Sequence, residues 1–176
     1  MKCAQCETRE CTGGKDCTGL AAELAARYED EATRRVHDAA AAIEKSFYMK
    51  VPRIAELVEY VKALGITRLG IAFCIGLAEE AAVAEKVFSQ YCEVESVCCK
   101  VCGIPKSALG QPTLRDGADE SICTPVGQAE VLNRAGTELN LMMGLCVGHD
   151  VLFIRHSAAD VSPFIVKDRV NQEEIP

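Results

Sequence analysis

The sequence predicts an open parallel (Rossmann-like) α/β sheet with helices on both faces, preceded by a small four-cysteine unit and two helices. Three observations support this prediction. The run RLGIAFC is apolar without polar alternation, which is typical of a strand buried on both faces, and three further strand-like runs follow it. Segments with helical periodicity separate these runs, and right-handed crossovers then place helices on both faces of the sheet. Glycine and proline bound several of the elements.

Two helices are predicted before the sheet. Apolar residues recur at helical spacing from about residue 19 to about Phe47, which predicts one long helix. A second apolar stripe begins after Pro52, whose ring suits a first helical turn, and ends at Gly65. Both helices are expected to add to the layers that cover the sheet.

Four strands joined by three helices are predicted in the remainder. The run RLGIAFC is the clearest strand, and VESVCCKV, LNLMMGLC and PFIVK follow it along the chain. The predicted strand bounds are 68–74, 94–101, 139–146 and 163–167. The intervening helices are predicted at about 78–91, 125–136 and 149–156, the second beginning at Pro125.

Charge and hydropathy argue against two classes of protein. The 176 residues include 26 acidic and 19 basic side chains, a formal net charge of -7, which disfavours a nucleic-acid-binding surface. No apolar stretch approaches the ~18 residues of a membrane helix, and no signal-peptide core follows Met1. We therefore expect a cytoplasmic protein with neither a nucleic-acid nor a membrane partner.

Cysteine is the outlying residue type, at 11 of 176 residues. In a reducing cytoplasm, a dense set of thiols indicates metal binding or redox chemistry rather than a disulfide scaffold. An odd count also fits a complete set of disulfides poorly. Four of the cysteines lie in the first 17 residues, and the other seven run from Cys74 to Cys146.

The N-terminal cysteines predict a metal-binding unit over residues 1–18, with an α/β domain over 19–176. Their spacing is C-x2-C-x4-C-x5-C, which supplies four soft ligands for a tetrahedral site. Because so short a segment has no apolar core, a bound metal would supply most of its folding free energy. The four candidate ligands are Cys3, Cys6, Cys11 and Cys17.

Zn(II) is the favoured metal, and a [4Fe-4S] cluster is the alternative, because four thiolates hold either one. The spacing resembles a zinc knuckle with cysteine in place of histidine. A Cys-x-x-Cys pair near the N-terminus, followed by two further cysteines, equally resembles the cluster-binding start of hybrid-cluster proteins.

A second group of residues is predicted at the carboxyl edge of the sheet, where open α/β sheets bind ligands. Cys74 closes the first predicted strand, Cys102 follows the second, and Cys146 closes the third. His149 brings an imidazole to the same edge, at a helix start that favours thiolate. These four are the candidate catalytic residues. The alternative is that the cysteines are small buried hydrophobic residues.

The other cysteines are interpreted differently. Cys92, Cys98 and Cys99 are predicted to be core residues, the last two on opposite faces of the second strand. The placement of Cys123, just before the Pro125 helix, stays open. Asp168 and Arg169 follow the last strand and either face the same crevice or form a surface ion pair.

The segments GLCVGHD (144–150) and VKDRV (166–170), together with the N-terminal cysteines, resemble a prokaryotic family of unknown function seen mainly in anaerobes. The resemblance covers essentially the whole chain. Members are described as metal-binding, with four N-terminal cysteines as zinc ligands. The resemblance therefore implies metal-ligand roles for Cys3, Cys6, Cys11 and Cys17, and it implies no reaction or substrate.

Three functional hypotheses follow. The first is a metal-binding protein with a structural N-terminal zinc site beside an α/β domain whose crevice is lined by cysteine and histidine. The second is an iron–sulfur redox or electron-transfer protein. The third is a non-catalytic module that binds a protein partner, a further copy of itself or metal. The sequence leaves open whether the protein is an enzyme.

Overall fold

The structure, a computed structural model, describes residues 1–170. It divides into two compact units, Met1–Tyr48 and Met49–Pro176. The division falls within the region that the sequence analysis assigned to the α/β domain. Independent folding of residues 1–18 as a metal-binding unit stays a prediction.

The first unit is helical. Short 3-10 helices at Cys3–Gln5 and Glu10–Gly13 precede α1 (Ala21–Arg27) and α2 (Glu31–Phe47). The single long helix predicted here is wrong, because the chain breaks between α1 and α2. The Asp30 carboxylate caps α2 by accepting the backbone N–H of Thr33 at 3.0 Å. This cap starts a new helix where the periodicity alone suggested continuity.

The second unit is a four-stranded, all-parallel sheet flanked by helices, which confirms the predicted fold class. The strand order is β2-β1-β3-β4. The strands are β1 (Arg68–Phe73), β2 (Glu93–Cys98), β3 (Leu139–Met143) and β4 (Asp160–Ile165). The helices are α3 (Arg53–Ala63), α4 (Ala78–Phe88), α5 (Pro125–Ala135) and α6 (His149–His156).

Both faces of the sheet carry a hydrophobic core. On one face, Leu57 and Val61 of α3 and Phe88 of α4 pack against Ile71 and Leu141 of the central strands. On the other face, α5 and α6 pack against the alternate residues of the same strands. No helix among residues 1–170 is long and apolar enough to cross a lipid bilayer.

A long connection between β2 and α5 is held by polar contacts. The Lys106 and Glu120 side chains form a largely shielded ion pair at 2.6 Å. Glu120 also accepts the backbone N–H groups of Leu114 and Arg115. The hydrogen bond from Lys106, helped by these two backbone bonds, lowers the pKa of the Glu120 carboxyl to about 2. The loop therefore delivers Cys123 to a defined position at the start of α5.

Candidate functional site

The strands end earlier than predicted, so a row of residues lies just beyond their carboxyl ends. The backbone N–H of Cys74 donates to the Met143 carbonyl at 3.0 Å, and that of Cys99 donates to the Phe73 carbonyl at 2.9 Å. These bonds continue the sheet ladder one residue past β1 and β2. Both sulfurs are therefore fixed by the sheet rather than carried on mobile loops.

The Cys74 thiol is paired with a lysine. The Nζ of Lys167, two residues beyond β4, lies 2.6 Å from the Cys74 Sγ. Burial raises the pKa of Cys74, but the hydrogen bonds from Lys167 and the Gly76 backbone N–H, with the lysine charge, outweigh burial and lower it. The pKa of Lys167 is raised, since its contact with Cys74 outweighs the effect of burial. The pair is therefore stabilised as thiolate and ammonium.

A second and a third thiol adjoin the first. The Cys99 side chain interacts with the thiols of both Cys74 and Cys123, and its sulfur accepts the Ile75 backbone N–H at 3.4 Å. Burial is the main reason that the pKa of Cys99 rises to about 12, with the neighbouring Cys123 and Cys74 contributing. Cys99 therefore stays protonated near pH 7, whereas the pKa of the neighbouring Cys74 is lowered. The Thr124 N–H and hydroxyl both donate to the Cys99 carbonyl and fasten it to the start of α5.

A fourth thiol lies at the turn into α6. Cys146 is half-buried and hydrogen-bonds the guanidinium of Arg169, which raises the pKa of that arginine. Its carbonyl accepts the backbone N–H of His149 at 2.9 Å. Burial and the charges of Arg169 and Lys100 lower the pKa of His149, with Asp150 acting in the opposite direction. The imidazole is therefore neutral near pH 7.

Glycine is required where the chain turns from β3 toward α6. Gly144 has a φ of +60°, and a Cβ there would lie 2.2 Å from Cδ1 of Leu77 and 3.9 Å from Cε of Lys167. A side chain would therefore push the Leu77 side chain aside, and the positive φ would strain any residue other than glycine. This contact explains the glycine that opens the GLCVGHD segment.

The structure unites some of the predicted site residues and adds others. Cys74, Cys146 and His149 are linked through the charges of Lys167 and Arg169. Cys102 is exposed, and among residues 1–170 its thiol has neither a hydrogen bond nor an ion pair. Sequence reasoning missed Lys167 because the predicted fourth strand included it. Cys99 is buried, as predicted for a core residue, but nothing in the sequence indicated that it adjoins Cys74 and Cys123.

The remaining cysteines of the second unit have ordinary surroundings. Cys92 is half-buried, packs against the core formed by α3 and α4, and donates its thiol to the Phe88 carbonyl at 3.6 Å. Cys98 is half-buried at the end of β2, where its sulfur accepts the Lys100 backbone N–H. Neither position suggests a role in the chemistry at the sheet edge.

The four N-terminal cysteines are all exposed. The Cys6 sulfur accepts the Arg9 backbone N–H at 3.4 Å, and this bond, with that from the Thr8 hydroxyl, lowers the pKa of Cys6. Arg9 has a φ of 45°, so the turn after Cys6 is sharply bent. Within the described part of the chain, no three His, Cys, Asp or Glu side chains are gathered to hold a metal ion. The donors fit a thiophilic metal by their chemistry, and their convergence on one ion stays a prediction.

A separate concavity of about 490 Å³ lies between the start of α3 and β4. Its lining is mainly apolar and includes Pro52, Ile54, Phe164 and Val166. The one charged residue of the lining, Arg53, donates its guanidinium to the Pro163 carbonyl. This concavity presents no nucleophile or acid, so the thiol-rich edge is the stronger candidate site.

The fold and this edge define an α/β protein with an open parallel sheet whose carboxyl edge carries a lysine-paired thiol and three further cysteines. The chain belongs to the family described as "Protein of unknown function (DUF1847)", whose model matches residues 12–164. It is 45% identical over 171 residues to an uncharacterized protein of Methanocaldococcus jannaschii, covering 97% of this chain and 89% of the relative. The chain matches no solved structure.

Proposed function

We propose that the second unit carries out thiol chemistry, with Cys74 as the nucleophile. The observation that carries this proposal is the 2.6 Å contact between the Lys167 Nζ and the Cys74 Sγ. A thiolate, not a thiol, attacks electrophiles, and a neighbouring cation and a helix N-terminus are what stabilise it. Both are present, because Cys74 directly precedes the 3-10 helix Ile75–Leu77 that leads into α4.

The surroundings of Cys74 support a role in reactivity over a role in packing. A buried cysteine that only fills space has no need of a lysine, whose desolvation costs free energy unless it is paired. Cys74 is only 7% exposed and Lys167 is half-buried, so their attraction is screened less than that of a surface ion pair.

Alkylation tests this assignment. The rate at which iodoacetamide modifies Cys74, followed by peptide mapping, should rise with pH around a midpoint below the ordinary value for cysteine. In Lys167→Met, Cys74 stays buried while the neighbouring cation is lost, so the pH midpoint of Cys74 alkylation should rise. The alkylation rate at pH 7 should then fall by about tenfold for each unit by which the pKa of Cys74 rises. Lys86→Met removes an exposed charge on α4 and is the matched control. An unchanged midpoint in the Lys167 variant would overturn the proposal.

For the first unit, we propose that Cys3, Cys6, Cys11 and Cys17 bind one metal ion, with Zn(II) favoured over a [4Fe-4S] cluster. The chemistry of the four soft donors and the backbone N–H bond to the Cys6 sulfur support this proposal. The metal would supply the cross-link that holds this segment together, since none of residues 1–20 is buried.

Elemental analysis of protein purified without oxygen tests the metal proposal. The wild-type chain should carry about one Zn per chain, and Cys3→Ser with Cys6→Ser should lose it. The second unit should keep its circular dichroism, because its core lies outside this segment. Cys92→Ser is the control for replacing a thiol elsewhere. An absorption band at ~400 nm together with acid-labile sulfide would show that the site holds an iron–sulfur cluster and not zinc. An unchanged metal content in the double variant would refute both the zinc site and the cluster.

A further inference from the structure

Cys74 and Cys99 occupy matching positions on neighbouring parallel strands. Phe73 and Cys98 are the last paired residues of β1 and β2, and the Cys99 N–H to Phe73 carbonyl bond extends the pairing. Neighbouring parallel strands lie about 4.8 Å apart, and paired residues project from the same face. This separation falls within the range of about 4.4–6.8 Å between Cα atoms that a disulfide bond allows.

The two thiols also differ in the way that a redox pair requires. Lys167 contacts the Cys74 sulfur, whereas the Cys99 sulfur is 3.4 Å from a backbone N–H and is almost fully buried. An attacking thiol has to be ionised, whereas a resolving thiol stays protonated until a mixed disulfide forms beside it. Cys74 suits the first role and Cys99 the second.

Building on the proposed Cys74 nucleophile, we infer that Cys74 and Cys99 form a redox-active dithiol that reduces disulfide substrates. The substrate, a disulfide R–S–S–R′, is itself the oxidant, so the reaction needs no other acceptor. The two electrons come from the dithiol, which ends as a Cys74–Cys99 disulfide.

The reaction balances in two steps. The Cys74 thiolate attacks one substrate sulfur, so that a Cys74–S–S–R mixed disulfide forms, the S–S bond of the substrate breaks, and R′S⁻ leaves and takes up a proton from the solvent. Cys99 then loses its proton and attacks the Cys74 sulfur, so that the Cys74–Cys99 disulfide forms and the S–S bond between Cys74 and S–R breaks. RS⁻ leaves and takes up the proton that Cys99 lost. The products are RSH, R′SH and the oxidised protein.

Peptide mapping after equilibration with oxidised glutathione tests the dithiol in the full-length chain. Trypsin releases Cys74 in the peptide 69–86 and Cys99 in 87–100, while Cys123 falls in 116–134. Wild type should give a disulfide-linked pair of the first two peptides after acid quenching and alkylation. Cys99→Ser should lose this species and accumulate glutathione on Cys74. Cys98→Ser, which removes the adjacent thiol, should still give the disulfide-linked pair of peptides.

The possible results distinguish failure of the Cys74–Cys99 dithiol from failure of the Cys74 nucleophile on which it rests. If Cys74 is alkylated with its lowered midpoint but no linked peptide forms, the dithiol is refuted and the nucleophile stands. A link from Cys74 to the peptide 116–134 would assign the resolving role to Cys123 and overturn that of Cys99. If Cys74 alkylates only at high pH, the nucleophile itself is wrong. Cys99→Ala, which places no hydroxyl in the core, replaces Cys99→Ser if the serine variant fails to fold.

Discussion

Gln128 of α5 is a fully buried polar side chain that connects the ends of two strands. Its Nε2 donates to the carbonyl of Phe73 at 3.1 Å and to that of Val97 at 2.7 Å. Its Oε1 has no partner among residues 1–170. The residues that it bonds directly precede Cys74 and Cys98, so one amide group holds together the two strand ends that carry the paired thiols.

Replacing Gln128 should destabilise the second unit. Gln128→Met keeps most of the volume but removes two donors from buried carbonyls, which we expect to cost about 1–2 kcal/mol. Gln128→Ala adds a cavity and should cost about 2–4 kcal/mol. Urea unfolding followed by circular dichroism measures both. Glu130→Ala, at an exposed site on the same helix, is the control. A methionine variant as stable as wild type would show that these hydrogen bonds contribute nothing net.

At the scale of elements, the two central strands were predictable because their apolar local sequence reflects their burial. β1 and β3 are almost wholly buried, so their apolar runs showed no alternation and could be identified without knowing their neighbours. Locating these strands also located their carboxyl ends, which is why Cys74, Cys146 and His149 were expected at one edge of the sheet. That much of the site depends on chain topology alone.

The remainder of the site depends on where the strands stop and which strands pair, and local sequence specifies neither. The second predicted strand ran to residue 101, which placed Cys99 inside it, whereas β2 ends at Cys98. The last predicted strand ran to Lys167, whereas β4 ends at Ile165 and frees that lysine to turn toward Cys74. Two residues are enough to move a side chain from a strand to the ligand-binding edge. The contact between Lys167 and Cys74 spans 93 positions and has no local signal.

At the scale of the whole molecule, the two units differ in what stabilises them. None of the first 48 residues is buried, and the polar contacts of this first unit include local capping bonds and exposed ion pairs such as Arg27–Glu23. Such pairs contribute about 0–1 kcal/mol each. Both hydrophobic cores of the sheet lie within the second unit, as do Lys167, Gly76 and Cys99, which act on the Cys74 thiol. The second unit therefore contains both the hydrophobic cores needed for folding and the groups that act on the Cys74 thiol.

The second unit should accordingly fold and react by itself. A chain of residues 49–176 should unfold in urea as one cooperative transition, followed by circular dichroism because the protein has no Trp. Its Cys74 should be alkylated by iodoacetamide with the pH midpoint of the full-length chain, since Lys167 and the Gly76 N–H act from within the same unit. The full-length chain is the reference for both measurements. A shallow, non-cooperative transition, or a midpoint that moves upward, would mean that residues 1–48 help to build the thiol site.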